Sequence, residues 1–195
     1  MIKFIYFDIG KVLNPSLFRK WRKEIIKKSG KSMNGLNKIF EKNWFSYMNG
    51  EMQDSEFWKL VCNYLELEEN YVKEKLRKRF KVNWYLKYFI WRNKKKYRFG
   101  IISNNTPFTQ NLFEDKFNLN NFEVLIFSQE VHLVKPSKEI YQLAIKKTNI
   151  KPSEILFIDD KESNVNAAKE LGINGFVFEN NKQFRREFKQ YERIK

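Results

Sequence analysis

Five short apolar runs recur along the chain, at Lys3–Phe7, Phe99–Ile102, Val124–Phe127, Ile155–Ile158 and Gly175–Phe178. From Phe99 onward they alternate with amphipathic stretches near 107–116, 137–148, 161–171 and 182–193. Short runs rich in Ile, Val and Phe read as strands covered on both faces, and their alternation with helical periods predicts an α/β fold with a parallel sheet. Between the first run and Phe99 the texture changes. There Phe, Trp, Leu and Ile fall at helical spacing among charges, which predicts helices near 16–29, 35–48, 55–66, 70–80 and 84–95. Ser29-Gly30-Lys31-Ser32 and Asn49-Gly50 are the breaks, and Asp54 reads as an N-cap accepting an orphan backbone N–H. The expected organisation is a core of residues 1–13 and 83–195 interrupted by a helical insertion, 14–82, with the helix near 84–95 returning to the sheet layer.

A chain of 195 residues suits one domain with a modest insertion. Its single cysteine, Cys62, excludes a disulfide scaffold and a paired-thiol metal or redox site, and predicts a cytoplasmic location. Cys62 itself sits in an apolar helical pattern and reads as a small core residue. The apolar start breaks at Asp8, too soon for a signal segment or for the ~20 residues that span a bilayer, so no membrane association is expected.

Charge is the unusual entry in the composition, with 38 Lys and Arg against 23 Asp and Glu, a net of +15. Residues 14–99 hold 22 of the bases and 9 of the acids, so nearly all the excess lies there. The bases are interleaved with aromatics on helical patterns, which a solvated helix face explains without any partner. Nucleic acid is permitted by this charge but no nucleic-acid motif accompanies it. Trp21, Trp44, Phe45, Trp58 and Trp84 read first as core of the helical layer.

In an open parallel sheet, ligands bind beyond the carboxyl ends of the strands. Four such places carry chemistry: Asp8-Ile9-Gly10, Ser103-Asn104-Asn105-Thr106, Lys135-Pro136, and Asp159-Asp160. A strand-end carboxylate can act as a nucleophile, a facing acidic pair can hold a hard cation such as Mg²⁺, and a hydroxyl, a lysine and loop N–H groups can bind phosphoryl oxygens. An acidic pair before a helix can also serve as a cap, and Ser103 and Lys135 taken singly are ordinary turn and surface residues.

The ordered series Phe-Asp8-x-Gly10-x-Val12-Leu13, Ile-Ile-Ser103-Asn104, Lys135-Pro136 and Ile-Asp159-Asp160, with Asn164, Ala167-Ala168 and Leu171-Gly172 after them, resembles motifs one to four of the haloacid dehalogenase-like hydrolase superfamily. Each motif alone is weak, whereas four in order are specific. The resemblance implies a Rossmann-like core with an inserted α-helical C1 cap, and Asn49-Gly50-Glu51, Asp54 and Phe57 resemble its sugar-phosphatase-like members. It implies a Mg²⁺-dependent phosphomonoesterase acting on a small phosphorylated metabolite. Asp8 would be the nucleophile, and the backbone at Ile9 and Gly10, with Ser103, Asn104 and Lys135, would bind phosphate. Asp8, Asp160, the Gly10 carbonyl and, indirectly, Asp159 would hold the metal, with Asn164 supporting the loop.

Two residues depart from the pattern. Most phosphatases of the superfamily carry an acid/base Asp where this chain has Gly10, and absence of such a group costs ~10²- to 10⁴-fold in rate. Lys11 stands where many members have Gly or Asn. His132, the single histidine, lies three residues before Lys135 and reads as a loop imidazole rather than a replacement acid. Two further functions fit the same residues: haloacid dehalogenation, in which Asp8 attacks carbon, and a catalytically impaired binding or regulatory protein that uses the basic insertion.

Overall fold

The structure, a computed structural model, describes residues 1–15 and 18–193. Strand β1 (Phe4–Phe7) is followed by five helices, α1 (Phe18–Ser29), α2 (Met33–Met48), α3 (Asp54–Leu65), α4 (Glu69–Arg77) and α5 (Trp84–Asn93). Then come β2 (Arg98–Ser103), α6 (Pro107–Glu114), β3 (Val124–Phe127), α7 (Ser128–Val131), α8 (Lys138–Thr148), β4 (Ile155–Asp159), α9 (Glu162–Lys169), β5 (Asn174–Val177) and α10 (Asn181–Arg193). All four strand pairings are parallel and the sheet order is β3-β2-β1-β4-β5. The predicted parallel α/β, Rossmann-like sheet is therefore present, with β1 at its centre.

Alternation along the strands sorts the core into two layers. Ile5, Phe7, Phe99, Ile101, Leu156 and Ile158 belong to one cluster with Leu86 and Ile90 of α5, Phe184 and Phe188 of α10, and the apolar faces of α1 to α4. Phe4, Tyr6, Ile102, Val124, Ile126 and Phe157 form the other with α8 and α9. Successive strand residues face opposite sides, so a five-strand sheet buried on both faces needs nearly continuous apolar runs. Gly100 shows how tight the second layer is: a Cβ there would lie 2.5 Å from the Tyr6 ring and 2.8 Å from that of Phe4.

The insertion is tied to the sheet at two seams. At its root, Asn83 donates from Nδ2 to the Val12 carbonyl (3.0 Å) and from its backbone to Leu13 (2.8 Å), while Asn14 Oδ1 accepts from the Lys81 N–H. At its far end, Ser128 Oγ of α7 donates to the Met48 carbonyl (2.6 Å), and a His132 ring nitrogen pairs with the Asn49 carbonyl (2.8 Å). Gly50 sits in this second seam with φ +75°, and an added Cβ would lie 2.2 Å from the Gln129 carbonyl oxygen. Gly50→Ala combines that clash with a left-handed backbone, so it is expected to cost about 2–3 kcal/mol and lower the melting temperature by roughly 5–10 °C in a thermal melt.

The structure departs from the sequence pattern at several places. Asp54 is the first residue of α3, not its cap; Gln53 precedes it, and Glu56 accepts the Gln53 N–H. The Asp54 carboxylate instead accepts from the Tyr47 hydroxyl, Trp58 Nε1 and Lys73 Nζ, joining three helices. Helix α4 ends at Arg77 rather than near 80, because the chain must turn for Lys81 to reach Asn14. The first two residues of the helix expected over 16–29 lie outside the described residues. Trp21 and Trp58 are core, as the pattern predicts, and Trp44 is half-buried, but Phe45 and Trp84 are exposed. Phe45 is adjacent to Trp44 on α2, and neighbours on a helix point about 100° apart, so one apolar stripe cannot bury both. Trp84 lies on the outer face of α5 while Leu86 and Ile90 occupy the inner one. The four-residue α7 has no legible period. Among the described residues no helix is long and apolar enough to cross a membrane.

Candidate active site

Strand register brings the key acids together. Phe7 pairs with Ile158, and the Asp8 N–H continues the ladder by donating to the Ile158 carbonyl (2.9 Å), so Asp8 emerges beside Asp159. On the other side Phe7 pairs with Ile101, which puts Ser103, the last residue of β2, at the same carboxyl end of the sheet. One ligand oxygen from each of Asp8, Asp159 and Asp160 can be chosen so that all lie within 4.8 Å of one another. Hard oxygen donors at that spacing suit a divalent cation such as Mg²⁺.

Lys135 sits beneath this cluster. Its ammonium donates to Asp8 Oδ1 (2.7 Å), Asp159 Oδ2 (2.6 Å) and the Ile102 carbonyl (2.7 Å), and the side chain is buried. An ammonium has three donors, and all are used. A phosphoryl oxygen can contact Lys135 only by displacing one of these partners, so its visible work is charge compensation. Asn104 holds it there reciprocally: Nδ2 donates to the Lys135 carbonyl (2.9 Å) and Oδ1 accepts the Lys135 N–H (2.8 Å). The Lys135–Pro136 peptide is cis. Burial alone would lower the lysine's pKa, but the two carboxylates outweigh it and the ammonium is held charged. Asp8 is pushed up to about 6, mainly by burial and further by Asp159 and Asp160, with Lys135 opposing. Lys135→Met would leave two buried carboxylates without a cation. A loss of about 3–5 kcal/mol is expected, read as a melting temperature lower by roughly 10 °C, with a smaller deficit at pH 5 where a carboxyl can protonate.

The remaining predicted residues fall into distinct places. Asn164 donates to both Asp159 oxygens (2.9 and 3.0 Å), and the Lys161 N–H donates to Oδ1 (2.8 Å), so Asp159 is fully oriented. Asp160 is mostly buried and pairs with Lys11 Nζ at 2.7 Å. Lys11 thus points at the acidic cluster, and that hydrogen bond raises its pKa. The Ile9 side chain is core, leaving only its backbone for a ligand, and its carbonyl accepts from Asn14. Gly10 and Ser103 line the cavity above. His132 does not line it and lies at the α7 seam instead. Cys62 is half-buried against the core, and burial pushes its thiol up to about 11.

That cavity measures about 850 Å³ and lies between the strand ends and the insertion. Asp8, Ser103, Asn104 and Asp160 face it from the sheet side, and Phe18, Met33, Trp44 and Met48 from α1 and α2. Asp8 and Asp160 are the only carboxylates among the described residues lining it, and no histidine does so. Among the described residues, the lining thus offers no further carboxylate or imidazole beside Gly10. Sequence reading missed Asn14, Asn83 and Ser128, whose roles depend on partners far along the chain. Asn105, which the sequence reading names in the second motif without a role, is buried in the cavity wall with its amide nitrogen unpartnered among the described residues.

Comparison with known proteins places the chain among relatives of one family and one fold. The chain is 35% identical over 101 residues to D-ribitol-5-phosphate phosphatase of Bacteroides thetaiotaomicron, a match covering 48% of this chain and 49% of that relative. Over 52 residues it is 38% identical to a phosphorylated carbohydrates phosphatase of Thermotoga maritima, covering 27% of this chain and 24% of the relative. The chain thus aligns with about half or less of the length of these relatives. Among solved structures, a haloacid dehalogenase-family enzyme of B. thetaiotaomicron in complex with magnesium and inorganic phosphate superposes with a TM-score of 0.84 at 22% identity, covering 96% of this chain and all of that one. L-2-haloacid dehalogenase of Xanthobacter autotrophicus superposes at 0.64 with 18% identity, covering 97% of this chain and 83% of its own. Residues 11–178 match the family model described as haloacid dehalogenase-like hydrolase, and the chain belongs to that family.

Proposed function

We propose that this protein is a Mg²⁺-dependent phosphomonoesterase acting on a small phosphorylated metabolite through an aspartyl-phosphate on Asp8. The observation that carries the reading is the buried Asp8–Lys135–Asp159 chain with Asp160 beside it, at the floor of a cavity roofed by α1 and α2. The donor set fits the cation: Asp8, Asp160 and the Gly10 carbonyl would hold Mg²⁺, with Asp159 turned toward Lys135 and Asn164 as a supporting acid. When bound, Mg²⁺ offsets repulsion between two anions and stabilises charge on the phosphoryl oxygens.

The chain's own residues do the rest. An Asp8 oxygen attacks phosphorus while Lys135 and Asn104 fix the carboxylate's position, and Ser103 with the loop N–H groups binds the equatorial oxygens. The P–O bond to the leaving alcohol breaks as the Asp8–phosphorus bond forms. With Gly10 in place of an acid, the departing alkoxide takes its proton from a water molecule held in the site. Water then attacks the acyl phosphate and releases orthophosphate and free Asp8. The helical segment 14–82 serves as a cap that closes over this site and excludes bulk water.

Phosphate release from a panel of sugar and polyol phosphates, with and without Mg²⁺, tests the proposal. Turnover is expected with Mg²⁺ and a drop to background is expected with chelator. Release of halide from 2-haloacids in chelator, with no phosphatase activity, would replace this reading with dehalogenation.

A further inference from the structure

We propose that the substrate carries a second anionic group, and that Arg22 of α1, set on Phe40 and Asn37, receives it on the insertion's side of the active-site cavity. This rests on the phosphomonoesterase reading and narrows its substrate class to bisphosphates or phosphorylated acids, as opposed to neutral polyol monophosphates.

The basic insertion is not uniform. Lys31, Lys73, Lys75, Arg77 and Arg79 all have carboxylate partners among Glu66, Asp54, Glu69, Glu24 and Glu74. Glu24 lies on α1 itself but pairs with Lys75 and Arg79 of the α4 region. Arg19, Lys20, Arg22 and Lys23, also on α1, line the cavity, and none forms an ion pair among the described residues. The two carboxylates lining that cavity both belong to the site at the sheet edge. The charge excess of the chain therefore has an unneutralised portion facing the substrate.

Within this group Arg22 is built into place. Its guanidinium carbon lies 4.0 Å from the Phe40 ring centroid, and Nη1 donates to Asn37 Oδ1 at 3.3 Å. Nε is buried without a partner among the described residues. Burial opposes its charge, and Glu41, which favours that charge, forms no ion pair with it. A half-buried guanidinium with a ring behind it and an amide at one edge has lost water without gaining an anion. A carboxylate or phosphate is the ligand whose geometry matches the planar fork. Phe18, Met33 and Trp44 line the same cavity, and their apolar surface suits a carbon skeleton linking two anions.

Matched substrate pairs test this: fructose 1,6-bisphosphate against fructose 6-phosphate, and 6-phosphogluconate against glucose 6-phosphate. Turnover by the wild type with Mg²⁺ is measured in parallel with calorimetric binding to Asp8→Asn. The doubly anionic member is expected to be favoured on the order of 10- to 100-fold in kcat/KM and in affinity, for at least one pair. Arg22→Met should close that gap and Arg22→Lys should retain part of it, with thermal melts confirming that both variants fold. Equal treatment of both members, or a gap that survives Arg22→Met, overturns the proposal while leaving the phosphatase reading intact. Absence of any turnover defeats the phosphatase reading instead, and the binding gap in Asp8→Asn, with and without Arg22→Met, still decides the anion site.

Discussion

Asp8→Asn is expected to abolish Mg²⁺-dependent phosphate release, by on the order of 10⁴-fold or more, and at the same time to stabilise the metal-free fold. The first effect follows from removing the proposed nucleophile; an amide at that position retains an acceptor for Lys135 but cannot form the acyl phosphate. The second follows from burial. Asp8 is raised from 3.8 to about 6, so in the metal-free protein its charge opposes folding. The sign is fixed by linkage. Below about pH 4 the carboxyl is protonated in both states, and as pH rises through about 6 the native state must ionise a buried acid and loses stability. A neutral Asn escapes that loss. The variant should therefore match the wild type near pH 4 and exceed it above pH 6 by on the order of 1–3 kcal/mol, or roughly 3–8 °C in melting temperature. Saturating Mg²⁺ should narrow the difference, because the cation compensates the wild-type charge. A variant that retains turnover, or melts below the wild type at pH 7.5 in chelator, would remove Asp8 from the role given to it.

Gly10→Asp should accelerate the reaction, with the gain concentrated on substrates that have poor leaving groups. Space permits the change: among the described residues a Cβ at Gly10 meets only Asp8 Oδ2, at 3.5 Å, an ordinary contact, and the backbone is not in the left-handed region. The residue is exposed to the cavity, whose described lining contains no other free carboxylate or imidazole. Lys11 is poorly suited to donate a proton because its pairing with Asp160 holds its pKa up. An acid at position 10 would protonate the departing alkoxide, a contribution of ~10²- to 10⁴-fold. For an alkyl phosphate, kcat/KM should rise within that range. For p-nitrophenyl phosphate, whose leaving group needs little protonation, the change should be below ~10-fold. Equal gains on both esters would show that the substitution acts on metal binding or positioning, and no gain on either would mean that proton donation does not limit this protein.

Much of this site was legible in one dimension because a parallel sheet converts strand ends into neighbours. Asp8, Ser103 and Asp159 each end an apolar run, and strand pairing alone places them at one edge. The helical segment between β1 and β2 was equally plain from its period. Other contacts had no local signal. Asn14, Asn83 and Ser128 are ordinary loop and cap residues until Lys81, Val12 and Met48 arrive beside them. Gly50 read as a break between helices, whereas its tighter constraint is the approach of the Gln129 carbonyl.

Order along the chain was thus sufficient to determine the sheet, the inserted helices and which residues stand at the strands' carboxyl ends, since each depends on local periodicity or on strand position. Tertiary structure alone decided how charge is shared: Lys135 spends its donors on Asp8, Asp159 and a carbonyl, Lys11 turns to Asp160, and Arg22 lines the cavity with no ion pair among the described residues. The physical reason is that ion pairing depends on distance and desolvation between side chains remote in sequence, and a composition of +15 contains neither.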